Sequence, residues 1–234
     1  MVDLISIVIP TRNEPMVEEL VARIRQTLED QTYDYEILAV DKSDDDTPER
    51  LRNVGVRVIE QKDTGLGRAI LEGLKAASGD PVIVMDADLS HNPDYIPNLL
   101  EKNREGYDIV VGSRRMKGGG ILGWGLYRIA VSKIANILGR TLAGLKVSDV
   151  TSGYRLYSRR VIDFLKTSKF RSRGYAFQLE VLARASRRGY LIGDVPIIFQ
   201  NRRGGVSKLS YRDILEYLST SIQLFICRGG GSTA

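Results

Sequence analysis

Apolar residues in the first half of the chain come in short unbroken runs, separated by stretches in which they recur every third or fourth position. Leu4–Ile9 (LISIVI) is the first run, fit for a strand buried on both faces, and Pro10 ends it. Val17, Leu20, Val21, Ile24 and Leu28 then share one face of a helix predicted over 15–29. Glu36–Val40 reads as a second strand, Thr47-Pro48-Glu49 as an N-cap with proline at the first helical position, and Val54–Ile59 as a third strand. A helix follows over Leu66–Ala77, broken by Ser78-Gly79-Asp80. Pro81–Met85 (PVIVM) is a fourth strand, Asn92-Pro93 opens another helix, and Asp108–Val111 is a fifth strand. Strands alternating with helices imply right-handed crossovers and an α/β fold with a mainly parallel sheet. In such sheets ligands sit outside the carboxyl ends of the strands, so chemistry is expected in the first polar residues after each run.

The second half reads differently. Over 121–145, Leu126, Ile129, Ala130, Ile134, Ile137 and Leu138 fall on one helical face, and Arg128, Ser132, Asn136 and Arg140 on another. Such a basic amphipathic helix suits a membrane surface; the plainer reading lays its apolar face over the sheet. A helix (Tyr175–Arg188), a strand (Tyr190–Phe199) and a last helix (Tyr211–Cys227) complete the pattern. No apolar run is long enough for a transmembrane helix. The last helix ends strongly apolar (LFIC), and 228–234 reads as a linker or appended tail, as if the chain were cut before a membrane segment. No signal-peptide pattern opens the chain.

Charge sharpens this division. The net charge of +5 over 234 residues hides a split: residues 1–111 carry 12 Lys/Arg and 23 Asp/Glu, whereas 112–234 carry 22 and 6. A basic half can hold phosphorylated ligands, an anionic bilayer or nucleic acid. Nucleic-acid binding lacks its usual aromatic, zinc or helix-turn-helix signals here. One cysteine (Cys227) excludes an internal disulfide, and one histidine (His91) excludes chemistry that needs two.

Three strand ends carry candidate chemistry. Asp86-Ala87-Asp88 follows PVIVM directly, and two carboxylates there can hold Mg²⁺ or Mn²⁺ and bridge it to a diphosphate. Asp41 ends the second strand, where a carboxylate can accept hydrogen bonds from a base or ribose. Pro10-Thr11-Arg12-Asn13-Glu14 follows the first strand and can line the same pocket or simply cap a helix. Gly65-Leu66-Gly67 opens a helix and can approach a ligand closely, but it has neither dinucleotide-binding nor P-loop spacing. His91 is read as a helix-opening residue rather than a ligand, Trp124 and Tyr127 as interfacial anchors or packing, and Arg184, Arg187 and Arg188 as a solvated or membrane-facing surface.

Taken in order, IVIPTRNE (7–14), VD (40–41), GLGRAILEGLKAASGD (65–80), VMDADLSHNP (84–93), VGSRRMKGG (111–119), TSGYRLYSR (151–159) and RRGGVSKL (202–209) resemble the family-2 glycosyltransferases of the GT-A fold. The likeness spans about residues 4–225 and is nearest to dolichyl-phosphate mannose synthases and related polyprenyl-phosphate glycosyltransferases. It implies a single domain over 1–225, with a nucleotide and metal half (1–111) and an acceptor and membrane half (112–225). By position it implies a nucleotide pocket from Pro10, Thr11, Asn13, Glu14, Asp41, Gly65 and Asp86, and a metal held by Asp86 and Asp88. It also implies catalytic or phosphate-facing roles for Asp88, Arg114, Arg128, Ser132, Arg202 and Lys208, with Arg155 and Asp149 nearby. The chain departs from the pattern at Lys42 (an acid is usual), Ser90 (a glutamine is usual) and Arg12 (an aromatic is common).

The implied reaction is metal-dependent, inverting transfer of a hexose from a nucleotide sugar to a polyprenyl phosphate, with GDP-mannose and dolichyl phosphate favoured. UDP-glucose, UDP-N-acetylhexosamine and a saccharide acceptor stay open. A phosphate monoester, with a second pKa of about 6, is its own nucleophile and needs no general base. The implied location is the cytoplasmic face of a membrane.

Overall fold

The structure is a computed structural model, and it describes residues 4–29, 31–201 and 211–227. A seven-stranded sheet forms the middle layer, in the order β3-β2-β1-β4-β7-β5-β8. Its strands are β1 (Leu4–Thr11), β2 (Asp34–Asp41), β3 (Arg57–Glu60), β4 (Val82–Val84), β5 (Ile109–Ser113), β7 (Arg155–Tyr157) and β8 (Ile192–Pro196). All pair in parallel except β7, which runs antiparallel between β4 and β5. The expected mainly parallel α/β sheet is therefore present. A small second sheet pairs β6 (Gly120–Leu122) with β9 (Ile198–Gln200).

Alternation along β1 explains the layering. Ile5, Ile7 and Ile9 face a core built with α1 (Val17–Glu29), α2 (Thr47–Asn53) and α4 (Ile96–Arg104). Val8 faces the opposite core, built with α3 (Leu66–Ala76), α6 (Arg159–Thr167) and α7 (Ala176–Arg187). Helix α3 lies close on the sheet because Gly73 has no side chain; a Cβ there would run into Val8.

Several elements differ from expectation. Strand β3 starts at Arg57 because Val54 and Gly55 still belong to the end of α2; Gly55 has φ +72° and Val56 N–H donates to the Leu51 carbonyl at 3.0 Å. Thr47 is the first helical residue rather than the cap, and its hydroxyl instead accepts the Glu14 N–H at 3.1 Å. The single strand expected over Tyr190–Phe199 is two: at Ile197 the chain leaves β5, and β9 turns to β6. β6, β7 and α6 are not foreseen in the sequence.

Helix α5 (Leu126–Ala143) separates the two readings of its stretch, for its apolar face does not cover the sheet. Leu126 (87% exposed), Ile134 (58%) and Ile137 (51%) point to solvent, while Asn136, Gly139 and Ala143 are buried. Helix α8 (Tyr211–Ile226) packs beside it through Tyr217, whose hydroxyl donates to the Ala135 carbonyl at 3.1 Å and fills the space over Gly139. On its other side α8 also exposes Leu215, Ile222, Phe225 and Ile226.

Candidate active site

β2, β1 and β4 are parallel neighbours, so their carboxyl ends open on one edge of the sheet. From β1 the chain goes to β2 and β3 on one side and returns to β4 on the other, so the strand order reverses between β1 and β4. A crevice at such a reversal is where open α/β sheets bind ligands. Thr11, Asp41 and Asp86 stand on that edge.

Asp41 is buried at the end of β2 and accepts three hydrogen bonds: from Thr11 Oγ1 (2.8 Å), Ser43 Oγ (2.7 Å) and Ser43 N–H (3.0 Å). Asn13, at a left-handed φ of 53°, donates its N–H to Ser43 Oγ (2.8 Å) and accepts the Asp44 N–H on its side chain (2.8 Å). Pro10 precedes this loop, paired with Val40. The loops after β1 and β2 are thus one knitted wall, with Glu14 fixed to Thr47 at its far end. Lys42 reaches across to the Gln61 carbonyl at 3.4 Å, and so is turned toward the end of β3. Gly65, at φ +113°, backs onto the Arg173 carbonyl, which leaves no room for a Cβ; the preceding chain of α7 docks here, and Gly67 N–H donates to the same carbonyl at 2.8 Å.

Asp86 and Asp88 lie just past β4, each partly exposed, on either side of buried Ala87. Leu89 adopts φ 60°, which turns the chain so that the Ser90 N–H (3.1 Å) and hydroxyl both donate to Asp88 Oδ1. Ser90 is itself buried and serves to orient Asp88. Beneath them lies His91, buried, its ring stacked on Tyr154 (5.0 Å between centroids) and met edge-on by Phe199 (5.4 Å). Its Nδ1 accepts the Asp86 N–H at 3.0 Å, which requires the neutral ring protonated at Nε2. Burial holds the imidazole below its usual range, against the opposing pull of Asp86 and Asp88. His91 is therefore a brace for the Asp86 backbone, a role that follows neither from helix opening nor from ligation. Among the described residues no third His, Cys, Asp or Glu joins the pair as a metal-holding cluster. Two half-exposed carboxylates on one turn fit Mg²⁺ or Mn²⁺, which commonly take their other ligands from water and substrate phosphates.

The basic side is built around α5. Arg114 is the residue that the resemblance assigns to the donor diphosphate and the lipid phosphate. It is buried, with Nε 2.7 Å and Nη2 2.9 Å from the two oxygens of Asp149, and Nη2 also donates to Thr151 Oγ1 at 2.7 Å. Burial pushes the Asp149 carboxyl up, but the Arg114 charge and hydrogen bonds outweigh it and hold the group at about 2. Arg155 is likewise fully buried, its guanidinium spent on the carbonyls of Ser152 (2.8 Å), Gln178 (2.6 Å) and Val150 (2.9 Å). These two arginines are structural clamps on the 149–154 turn. Arg128 stands in the first turn of α5, 3.9 Å over the Trp124 ring, and donates to Asn201 Oδ1 at 3.4 Å. Ser132, one turn on, accepts a 2.7 Å hydrogen bond from Arg115 Nη2. Arg115 was not singled out in the sequence, because nothing in it separates the two arginines of GSRR. Arg202 and Lys208 lie outside the described residues.

A mostly parallel central sheet flanked by helices in this order is the architecture of the GT-A fold. Residues 6–165 match the model of glycosyl transferase family 2, and the chain belongs to that family. It is 37% identical over 227 residues to a dolichol-phosphate mannosyltransferase of Pyrococcus furiosus, covering 92% of this chain and 61% of that protein. It is 41% identical over 155 residues to a polyprenol monophosphomannose synthase of Mycolicibacterium smegmatis, covering 65% of this chain and 58% of that protein. The chain thus spans about six-tenths of the length of these curated relatives. Among solved structures, it resembles glucosyl-3-phosphoglycerate synthase from Mycobacterium tuberculosis in complex with Mn²⁺, uridine diphosphate and phosphoglyceric acid. The TM-score is 0.69 at 25% identity, over 94% of this chain and 78% of that one.

Proposed function

We propose that this chain transfers a hexose, with inversion, from a nucleotide sugar to a polyprenyl phosphate, with GDP-mannose as donor and dolichyl phosphate as acceptor. One observation carries the reading: the acid pair after β4, at the crevice where the strand order reverses, in a chain whose residues 112–148 contain no Asp or Glu. The names of the two curated relatives support the acceptor and the sugar.

In this reading residues 1–111 bind the nucleotide and residues 112–225 bind the acceptor. The wall of Thr11, Asn13, Glu14 and Asp41 is pre-set to receive base and ribose, since hydrogen bonds fix Thr11, Asn13 and Asp41, and the Glu14 backbone, before the ligand arrives. Asp86 and Asp88 would hold Mg²⁺ or Mn²⁺, which when bound offsets charge on the departing diphosphate. His91 and Ser90 keep those carboxylates aimed. Arg128 and Ser132, with Arg202 and Lys208, neutralise and align the incoming phosphate, which is mostly dianionic near neutral pH and attacks without a base. The bland outer faces of α5 and α8 have a purpose here: Leu126, Ile134, Ile137, Ile222 and Phe225 form an exposed apolar surface suited to the cytoplasmic face of a bilayer, where the acceptor resides. No helix among the described residues is long and apolar enough to cross a membrane.

The test is transfer from radiolabelled GDP-mannose, UDP-glucose or UDP-N-acetylglucosamine to dolichyl phosphate or 3-phosphoglycerate, with Mn²⁺ or with EDTA. GDP-mannose and dolichyl phosphate should give product that disappears with EDTA and in Asp88→Ala. Transfer to phosphoglycerate alone, or an Asp88→Ala enzyme near full activity, overturns the assignment.

A further inference from the structure

Two buried N–H groups beside α5 have no hydrogen-bond partner: Arg115 Nε and Trp124 Nε1. Buried donors are nearly always satisfied in native proteins, so an orphan calls for an explanation, such as an acceptor the bare chain lacks. Geometry ties both to one strip of α5. Arg115 Nη2 meets Ser132 Oγ at 2.7 Å, and the Trp124 ring lies 3.9 Å under the Arg128 guanidinium. Arg128 and Ser132 are four residues apart, hence neighbours on one helix face.

The charge in this strip is not balanced. Arg114 and Arg115 share the single carboxylate of Asp149, and Arg114 takes both of its oxygens. Two guanidinium groups on one carboxylate leave a surplus of one positive charge, and Arg128 stands beside them on the Trp124 face. A phosphate monoester above its second pKa of about 6 carries close to two negative charges and three acceptor oxygens. A nucleoside diphosphate has its own acid-side cradle across the crevice, and a neutral hydroxyl would leave the surplus standing.

We infer that Arg115 and Trp124 belong to the acceptor site, where the Arg115 guanidinium and the Trp124 indole N–H donate to the oxygens of a phosphate monoester lying along Arg128 and Ser132. The inference rests on the proposed lipid-phosphate acceptor for the identity of that monoester. It moves the role expected of Arg114 to its neighbour: Arg114 is locked by Asp149 and holds the turn, and Arg115 touches the substrate.

Trp124 is the only tryptophan of the chain, so its fluorescence reports directly on the site. The probes are citronellyl phosphate, inorganic phosphate and citronellol, titrated into the whole protein without donor. Citronellyl phosphate should shift the emission saturably, inorganic phosphate should do so only at concentrations at least tenfold higher, and citronellol should not. Arg115→Gln should weaken citronellyl phosphate at least tenfold and leave the calorimetric affinity for GDP with Mn²⁺ within twofold; Arg115→Lys should recover part of the loss. Trp124→Phe, which removes the N–H and keeps a ring, should raise the acceptor KM three- to tenfold without a matching fall in kcat. The inference is overturned if Arg115→Gln and Arg115→Lys both bind citronellyl phosphate within twofold of the parent, or if the parent's emission ignores every phosphate probe. Equal affinity for inorganic phosphate overturns the lipid as the source of the phosphate. Tight citronellyl phosphate binding in a protein that glycosylates no polyprenyl phosphate overturns the proposed reaction and leaves the phosphate site in place.

Discussion

Replacing Asp149 by asparagine isolates the pair that anchors the basic half. The two side chains are 6% and 0% exposed, and Arg114 makes two hydrogen bonds of 2.7 and 2.9 Å to the carboxylate. Removing one partner of a buried ion pair leaves the other charge uncompensated and costs about 3–5 kcal/mol. That is a large part of a typical domain stability of about 5–15 kcal/mol. The parent should also show a pH signature. Asp149 titrates at about 2 in the folded chain against 3.8 for the unfolded group, so the unfolded state binds its proton first as pH falls. Its contribution is present in full above pH 4 or so, is lost as pH falls from 3.8 through 2, and amounts to about 2 kcal/mol. Urea unfolding followed by circular dichroism at a series of pH values from 7 down to 2.5 measures both. Asp149→Asn should be less stable by the stated amount at pH 7, and the gap to the parent should narrow toward pH 2. A variant within 1 kcal/mol of the parent at pH 7, or a gap that does not change with pH, refutes the reasoning.

Gly73→Ala should destabilise by about 1–3 kcal/mol in the same assay, because overpacking against Val8 and Val40 outweighs the roughly 1 kcal/mol that alanine gains over glycine in a helix; a more stable variant would show that α3 does not sit so close. Arg155→Met should cost about 3 kcal/mol by stripping the donor from the Ser152 and Val150 carbonyls inside the core. Its hydrogen exchange should rise first in the 149–154 turn, and uniform exchange with unchanged melting would count against the clamp.

The parts of the fold that were legible are those where burial is uniform. β1, β2, β4 and β5 are apolar runs because a central parallel strand is covered on both faces, and the acid pair stood out because it follows such a run without a spacer. β7 was invisible: it is three residues long, and one of them is a buried arginine that satisfies carbonyls rather than solvent. The split of 190–199 into β8 and β9 depends on which partner each residue finds, Ile192–Pro196 on β5 and Ile198–Gln200 on β6, and no local pattern records that. In the site, composition pointed to basic residues for phosphate. It did not say which arginine of 114 and 115 is taken by a carboxylate 35 positions away, nor that His91 would accept a backbone N–H from Asp86.

Helix α5 shows why amphipathicity alone does not orient a helix. Its buried contact is polar and small. Asn136 donates to the Ser148 carbonyl (2.9 Å) and accepts the Val150 N–H (2.8 Å), and Gly139 admits the Tyr217 ring, while Ile134 and Ile137 are left outside. The turn over 148–150 needs a bidentate partner for its backbone, and a leucine cannot supply one. Asn136→Leu should therefore destabilise the chain by about 2–4 kcal/mol, since one buried and one partly buried backbone group lose their partners, although the substitution makes the helix more apolar. Ile134→Glu with Ile137→Glu should leave stability within about 0.5 kcal/mol, as exposed substitutions usually do. On a bilayer the order reverses. The double glutamate variant should fall at least tenfold in sedimentation with anionic vesicles, because it loses apolar insertion and adds repulsion, whereas Asn136→Leu, where it folds, should bind as the parent does. If instead the glutamates unfold the chain and Asn136→Leu stabilises it, the apolar face of α5 packs inward, and the membrane-facing surface is lost along with the reading built on it.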